Sequence, residues 1–415
     1  MLCNNNSQSG FMKILFVHQN FPAQFRHLAP ALARRGYHVN VLTAESNLNQ
    51  TPIPTSKYKW DHKQKPVGPG TRYAEHSQRG LHAARAAAAM QAKGYVPDLI
   101  IGHPGWGETL FLKEVWPNAK LLHFAEFYYA TKGLDMGFDP EFSRDSLNAR
   151  IGTICGQAHL AHALCLADMN VTPTQFQAAT FPPMFRDRLR VIHEGVDTMN
   201  IAPDAGVLFN LPNGVQIRAA DEVITFVNRN LEPYRGFHIF MRALPKVMKA
   251  RPNAQVVIVG EEKRGYGPLP KAGTWKEKML AELGGKLDHG RIHFLGRVPY
   301  ADFKTLMQIS RVHAYLTYPF VLSWSMLEAM AMEAHVVASN TAPVAEVIQD
   351  GVNGQLVDFF DVPAWSAALI DGLANPEKFR RMRRRARETI VQNYDLNTRC
   401  LPQQVALVEQ MLKRF

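Results

Sequence analysis

Cysteine is scarce in this chain: four in 415 residues, at Cys3, Cys155, Cys165 and Cys400, with no C-x-x-C and no paired histidine spacing. That excludes a disulfide framework and a zinc-finger type of site, and it suits a reducing compartment. Long apolar stretches are lacking too. The runs free of Asp, Glu, Lys and Arg, such as Ile151–Ala167 and Val312–Leu327, are interrupted by His, Gln or Pro. Each is shorter than the ~18 residues a membrane-crossing helix needs. The first residues, MLCNNNSQSG, have neither the basic start nor the apolar centre of a secretory signal, and they read as a disordered leader before Met12. The first loop has no G-x-G-x-x-G, which weighs against a standard NAD domain. There is no helix-turn-helix, zinc-finger or aromatic-basic string, so nucleic acid is not an expected partner. Acidic residues are in deficit, 36 against 47 Lys and Arg, for a net charge of +11. Such a balance favours acidic partners, a phosphorylated substrate or an anionic membrane surface.

What the chain does contain is alternation. The hydrophobic fraction is 46%, and the length suffices for two ordinary domains. Lys13–Val17 (KILFV) is an apolar strand followed by the loop His18–Pro22. Phe25, Leu28, Ala29 and Leu32 then recur near a helical period, Gly36 ends that helix, and Val39–Leu42 starts a second strand. A chain opening strand–helix–strand belongs to the α/β class with a doubly wound sheet. Thr51–Thr71, rich in Pro, Gly and Lys, reads as a long loop and Leu81–Lys93 as an alanine-rich helix. Asp98–Gly102 and Lys120–Ala125 read as strands, ending on His103-Pro104-Gly105-Trp106-Gly107-Glu108 and on Glu126-Phe127-Tyr128-Tyr129. The carboxyl ends of strands are where α/β sheets bind ligands. GFDPEFSRD, from Gly137, reads as an exposed loop. Ile151–Met169 reads as one helix with His159 and His162 on one face. With no third ligand in view, a structural role outranks a metal site. VIHEGVDT (191–198) closes the first half, and residues 200–221 form a linker.

The second half repeats the pattern, with strands at Ile224–Val227, Gln255–Gly260, Arg291–Leu295 and Val312–Leu316. NRNLEPYRG (228–236) leaves a strand and enters a helix, carrying Arg229 and Arg235. After Thr317 come a polar turn at Ser323-Trp324-Ser325, a helix with either serine as N-cap, and a β-branched strand at His335–Ala338. A helix start offers unpaired N–H groups and partial positive charge, which suit a phosphate. Arginine forks suit phosphate oxygens. Together the two stretches make a diphosphate site. Glu328, about five residues into the helix, lies about 7–8 Å along its axis, the span from a diphosphate to the ribose hydroxyls of a nucleotide. Two surface arginines beside a turn and a buried helix glutamate are the plainer readings of the same residues. KFRRMRRRAR (378–387), with seven cations in ten residues, is either a solvated helix face or a contact for anionic lipid.

These motifs resemble the retaining glycosyltransferases of family 4, the group 1 glycosyltransferases, which have the GT-B fold. The resemblance rests on FVNRNLEPYRGF, FLGRVPYAD, LEAMAMEAHVVASN, the Pro343–Glu346 segment and DGVNG. More loosely, it rests on KILFVHQNFP, LAPALARRGYHVNVLT and VIHEGVDT. It covers roughly Met12 to Asn393 and implies two Rossmann-like, doubly wound domains facing across a cleft. The acceptor-side domain would span 12–200, with a helix of about 394–415 packing back on it, and the nucleotide-sugar donor domain 216–393.

The resemblance further implies a metal-independent, hexosyltransferase-type enzyme with no cofactor. It would move a sugar from a UDP- or GDP-sugar to a hydroxyl of a glycan or lipid-linked acceptor in polysaccharide or glycolipid biosynthesis. The expected place is the cytoplasm, with peripheral contact at the inner face of the membrane as an addition; the oligomeric state stays open. Carried over, Arg229 and Arg235 resemble the diphosphate pair, Glu328 the ribose ligand, and the backbone near Val298 the base contact. The helix start (Ser323, Trp324, Ser325, Met326) and Asn20 complete the donor contacts. Glu126 stands where the family often has a catalytic-region histidine, and His103 is its rival. Three departures bear on the sugar. Phe320 replaces the first glutamate of the family pair, LSWSM precedes Glu328 in place of a Phe-Gly type, and Gln19-Asn20-Phe21-Pro22 stands where the family commonly has two glycines. They leave a nucleotide-sugar epimerase of the same fold, or a catalytically silent sugar-nucleotide-binding protein, as alternatives.

Overall fold

A computed structural model describes residues 12–60, 68–142 and 145–413; the expected leader lies outside them. The chain forms two units. One comprises Met1–Thr131, Asp145–Glu194 and Cys400–Phe415, the other Lys132–Arg144 and Gly195–Arg399.

The first unit is built on seven strands: β1 (Lys13–Val17), β2 (His38–Ala44), β3 (Thr55–Tyr58), β4 (Leu99–Gly102), β5 (Lys120–Phe124), β6 (Met169–Thr172) and β7 (Leu189–Val191). They lie in the order β3-β2-β1-β4-β5-β6-β7, all parallel. A parallel sheet is covered on both faces, so its central strands are near-continuous apolar runs, and KILFV and LIIG are buried accordingly. The edge strand β3, TSKY, buries only Tyr58. It falls inside the stretch expected to be loop, because an edge strand carries no apolar run. The helix expected over Ile151–Met169 is two, Leu147–Gly156 and Ala158–Leu166, and Met169 already belongs to β6. The last helix, Leu401–Leu412, puts Val405, Val408, Met411 and Leu412 into the core with β1 and β4.

The second unit opens with a hairpin, β8 (Leu208–Asn210) and β9 (Gln216–Arg218), inside the expected linker. Its sheet has six parallel strands: β10 (Val223–Asn230), β11 (Gln255–Glu261), β12 (Ile292–Gly296), β13 (Val312–Tyr315), β14 (His335–Ser339) and β15 (Gln355–Val357). Their order is β12-β11-β10-β13-β14-β15. In both sheets the order reverses beside the first strand, between β1 and β4 and between β10 and β13. Loops leaving the carboxyl ends of those neighbours diverge and open a crevice. The His18–Pro22 and His103–Glu108 loops leave one such point, and the segments after β10 and β13 leave the other.

The GFDPEFSRD stretch is no exposed loop: residues 137–142 belong to the second unit and pack into it. Asp139 is 3% exposed; its Oδ2 accepts from Tyr318 Oη at 2.7 Å and lies 3.1 Å from His238 Nε2. Burial pushes this carboxyl up, but the bonds from His238 and Tyr318 outweigh it and hold it below the ordinary value. Arg242 forks onto Glu141 at 2.7 and 2.9 Å. Phe138 packs on Tyr318, Phe359 and Phe360, and Phe142 sits edge-on to Trp275 and His238. The Asp, Pro, Glu and Ser of the stretch read as solvent-facing, while in the fold its two phenylalanines, Asp139 and Glu141 do the anchoring. Asp139→Ala leaves the Tyr318 hydroxyl without its acceptor and removes the carboxylate beside His238. It is expected to destabilise the unit by about 2–3 kcal/mol, read as a lowered urea midpoint.

Part of the basic run is structural as well. Within the Arg380–Asn393 helix, Arg383 Nε donates to Glu333 O. Arg387 donates to the carbonyls of Ala331, Ile201 and Thr198, and so caps the end of the Trp324–Ala331 helix with a cation. Lys378 and Arg380 pair with Asp371 and Glu377. Among the described residues, no helix is long and apolar enough to cross a membrane.

Candidate functional site

In the second unit, the two stretches singled out from sequence meet where the strand order reverses. Arg229 stands at the carboxyl end of β10, exposed. It makes no hydrogen bond or ion pair among the described residues. Arg235 ends a tight turn that Gly236 closes at φ 64°. A Cβ on Gly236 would fall 2.3 Å from the Leu316 Cβ, so no other residue fits there. The turn drives Arg235 inward: it is 6% exposed. Its Nη1 donates to Thr317 Oγ1 and Val321 O, both at 2.8 Å, and its guanidinium lies 5.3 Å from the Tyr266 ring. The two arginines therefore differ. Arg229 is open, while Arg235 ties its loop to the segment that leads into the Trp324–Ala331 helix.

Ser323 is the N-cap of that helix. Its Oγ accepts from Ser325 N–H, and its own N–H donates to Tyr315 Oη at 2.7 Å. Trp324 is 36% exposed and Ser325 is buried. Met326, expected on the donor, is wholly buried in the apolar core, which takes its side chain out of any ligand's reach. Phe320 departs from expectation in the same way. It is 2% exposed, with its ring edge-on to Tyr266 at 4.7 Å and to Tyr234 at 5.9 Å, because an apolar ring gains most among other rings. Glu328 is 6% exposed, and its Oε1 accepts from Tyr300 Oη at 2.8 Å. Val298 is half-buried against the same core as Met326.

Glu232 has no role in the sequence reading although it sits between the two arginines. It is 2% exposed, and its oxygens accept from Tyr266 N–H at 3.1 Å and Gly267 N–H at 2.8 Å. A Cβ on Gly265 would lie 2.0 Å from Glu232 Oε1, so the loop wraps the carboxylate closely. Burial pushes the carboxyl up, and the two N–H bonds and the arginines oppose the shift. A buried acid between two cations in one loop is the signal that was there to read. Taken together, an open arginine, a capped helix start and a fixed carboxylate suit an anionic ligand that also carries hydroxyls.

In the first unit, His103 and Glu126, expected as rivals, stand side by side. His103 Nδ1 accepts from Gly105 N–H at 3.0 Å, which leaves the proton on Nε2, and Nε2 lies 3.9 Å from Glu126 Oε2. That distance is beyond a hydrogen bond. Burial holds His103 well below its ordinary pKa, with His18, His123 and His159 adding to the effect, so its Nε2–H is a donor at neutral pH. His18 packs edge-on against Trp106 and His103, and its Nδ1 accepts from the N–H of exposed Asn20 at 2.9 Å. His159 and His162 go to different partners. His159 Nε2 is 3.0 Å from Gly105 O, and His162 Nδ1 is 3.2 Å from Tyr73 Oη. Among the described residues, no three His, Cys, Asp or Glu side chains cluster as a metal requires.

Residues 35–201 match the family model of the Glycosyl transferase family 4 group, and residues 210–389 that of Glycosyl transferases group 1. The D-inositol 3-phosphate glycosyltransferase of Segniliparus rotundus is 23% identical over 379 residues, 86% of this chain and 78% of the relative. The phosphatidyl-myo-inositol mannosyltransferase of Mycolicibacterium smegmatis is 31% identical over 194 residues, 46% of this chain and 44% of the relative, so less than half of that protein is spanned. Among solved structures, sucrose-phosphate synthase from Thermosynechococcus elongatus has a TM-score of 0.72 at 19% identity, over 97% of this chain and 100% of that one. HepE from Anabaena, in complex with UDP and glucose, has a TM-score of 0.65 at 20% identity, over 96% and 99%. At such identities the structural likeness speaks for the fold alone.

Proposed function

The chain belongs to the group 1 glycosyltransferases of family 4, with the two Rossmann-like units of the GT-B type, and on that premise we propose that it moves a sugar from a nucleotide-diphosphate sugar to an acceptor hydroxyl with retained anomeric configuration. One observation carries the reading. Arg229 stands open at the carboxyl end of β10, two residues past Val227, whose carbonyl lies 3.5 Å from Ser325 Oγ at the capped start of the Trp324–Ala331 helix, and Glu328 lies on that helix. When the bond to the sugar breaks, negative charge grows on the diphosphate. Arg229 and the helix-start N–H groups stabilise that charge without a metal. Arg235 acts through the Thr317–Val321 segment, holding the helix start in place. Glu328, oriented by Tyr300, accepts from the ribose hydroxyls, and the backbone at Val298 meets the base.

In the first unit, Asn20, His103 and Glu126 make the acceptor side. A neutral His103 with its proton on Nε2 serves as a hydrogen-bond donor to the reacting groups. Of the two rivals, Glu126 is the one able to take a proton. The donor is a UDP- or GDP-sugar; the Anabaena neighbour holds UDP and glucose, which makes UDP the first nucleotide to try. A lipid-linked acceptor is supported by the phosphatidyl-myo-inositol mannosyltransferase relative, while the D-inositol 3-phosphate glycosyltransferase relative names a lipid-free inositol phosphate. Synthesis of polysaccharide or glycolipid in the cytoplasm, at the inner membrane face, is the setting that fits. Calorimetric titration with UDP, GDP and their glucose and mannose conjugates tests the reading. One diphosphate series is expected to bind with micromolar affinity, about −8 kcal/mol, and its sugar conjugate to be slowly hydrolysed. Binding without any turnover selects the silent binding protein that the buried Phe320 allows, and no binding by either series sinks the proposal.

A further inference from the structure

A cavity of about 620 Å³ opens within the second unit, apart from Arg229 and the helix start. Its walls are the Asp135–Phe142 segment, Tyr234, Tyr318, the Gly267–Ala272 loop, Trp275 and Lys278. The size is that of an ordinary ligand pocket. Much of the wall is aromatic. Phe142 stands edge-on to Trp275 at 4.9 Å, and Tyr234 lies 4.7 Å from Tyr318. Exposed Lys278 rests its Nζ 5.0 Å from the Phe142 ring and 4.8 Å from that of Trp275.

Three carboxylates line this cavity, and two have their partners. Asp139 is held by Tyr318 and His238, Glu141 by Arg242. Asp135 is different. It is 7% exposed, and its Oδ2 accepts from Tyr234 Oη at 2.8 Å. Its Oδ1 is buried with no hydrogen-bond partner. Burial pushes the carboxyl up, and the Tyr234 bond and the backbone N–H groups of Asp135 and Met136 oppose the shift. An acceptor left unpaired at the wall of a cavity calls for a donor from outside the protein. A cation would need more than one uncommitted carboxylate, and a phosphate would be repelled by Asp135 and its two neighbours. A hydroxyl satisfies Oδ1, and rings beside it suit a ligand whose carbon face is apolar. Carbohydrates offer both.

The geometry points to this cavity as a saccharide subsite, taking an oligosaccharide of about two or three rings with one hydroxyl donating to Asp135 Oδ1. The inference rests on the glycosyl-transfer reading only in choosing saccharide as the class. Tyr234, one residue before Arg235, links the subsite to the loop that carries the anion site.

Saturation-transfer NMR on the full chain, with maltotriose and with α-1,6-mannotriose at about 10 mM, far above a millimolar Kd, tests it. UDP is titrated separately. Saturation of ring protons is expected from at least one trisaccharide. Binding should be at least tenfold weaker in Asp135→Leu and in Ala272→Trp. The second variant fills the cavity without removing a hydrogen bond, so it guards against loss of the fold, and UDP binding should survive in it. Absence of transfer from both trisaccharides in a protein that binds UDP overturns the subsite and leaves the proposed function standing. So does undiminished saccharide binding by Ala272→Trp. Saccharide binding without any binding of UDP or GDP upholds the subsite while the donor assignment falls.

Discussion

Arg229→Ala is expected to lower turnover at least about a hundredfold while the protein keeps its melting temperature. The size follows from removing one preorganised donor to the charge that develops on a leaving group, roughly 2.7–4 kcal/mol of barrier. The intact fold follows from the side chain itself, which is exposed and makes no hydrogen bond or ion pair among the described residues. Substitutions at such positions usually stay within about 0.5 kcal/mol. Initial rates at saturating donor, beside a thermal melt, check both halves, and near wild-type turnover removes Arg229 from the site. Arg235→Ala is the contrasting case. It empties a buried position and strands the acceptors Thr317 Oγ1 and Val321 O. Its loss of activity should come with a lowered melting temperature, whereas that of Arg229→Ala should not.

The second large effect is a fall in stability between pH 6.5 and about 4. Burial lowers His18 and His159 to about 4 and His76 and His123 to about 3 in the first unit, with His103 lowered as well. In the second unit it lowers His313 and His335 to about 4. The sign follows from linkage. Each folded value lies below the unfolded value of 6.5, so as pH falls the unfolded chain takes up protons first. The contribution is fully present above 6.5 and is lost on the way down to the folded value. Each histidine contributes up to about 1.4 kcal/mol per pH unit inside that window. Glu108, Glu232 and Asp135, pushed up by burial, oppose the trend but are fewer. The first unit holds the larger share of these histidines and should lose structure first. Urea midpoints that do not move between pH 7 and pH 5 would contradict this.

The parallel-strand alternation was legible because strands covered on both faces cannot avoid apolar runs: KILFV, LIIG and VVIVG announce themselves. The short strands β3, β6, β7 and β15 were not, since short or edge strands carry mixed residues that no periodicity separates from loop. The second-unit site was legible where one residue faces out of a strand end or helix start, as with Arg229 and Ser323. It misled where a tertiary contact decided direction. Nothing local says that Arg235 turns inward under Tyr266, that Phe320 joins a ring cluster, or that Met326 fills the core. Tyr300 as the partner of Glu328 lies 28 residues away in sequence, and no local pattern links the two.

The Lys132–Arg144 segment makes the chain enter the second unit at 132, leave it at 145, return at 195 and depart again at 400. The midpoint near residue 200, where the sequence motifs change character, is therefore a poor place to exchange modules between relatives. A second half cut there would carry Trp275, Tyr318, His238 and Phe359 stripped of Phe138, Asp139 and Phe142. Recombination that keeps the second unit whole would have to move the 132–144 segment together with residues 195–399. The packing of the second unit is thus coupled to a stretch encoded in the opposite half of its gene.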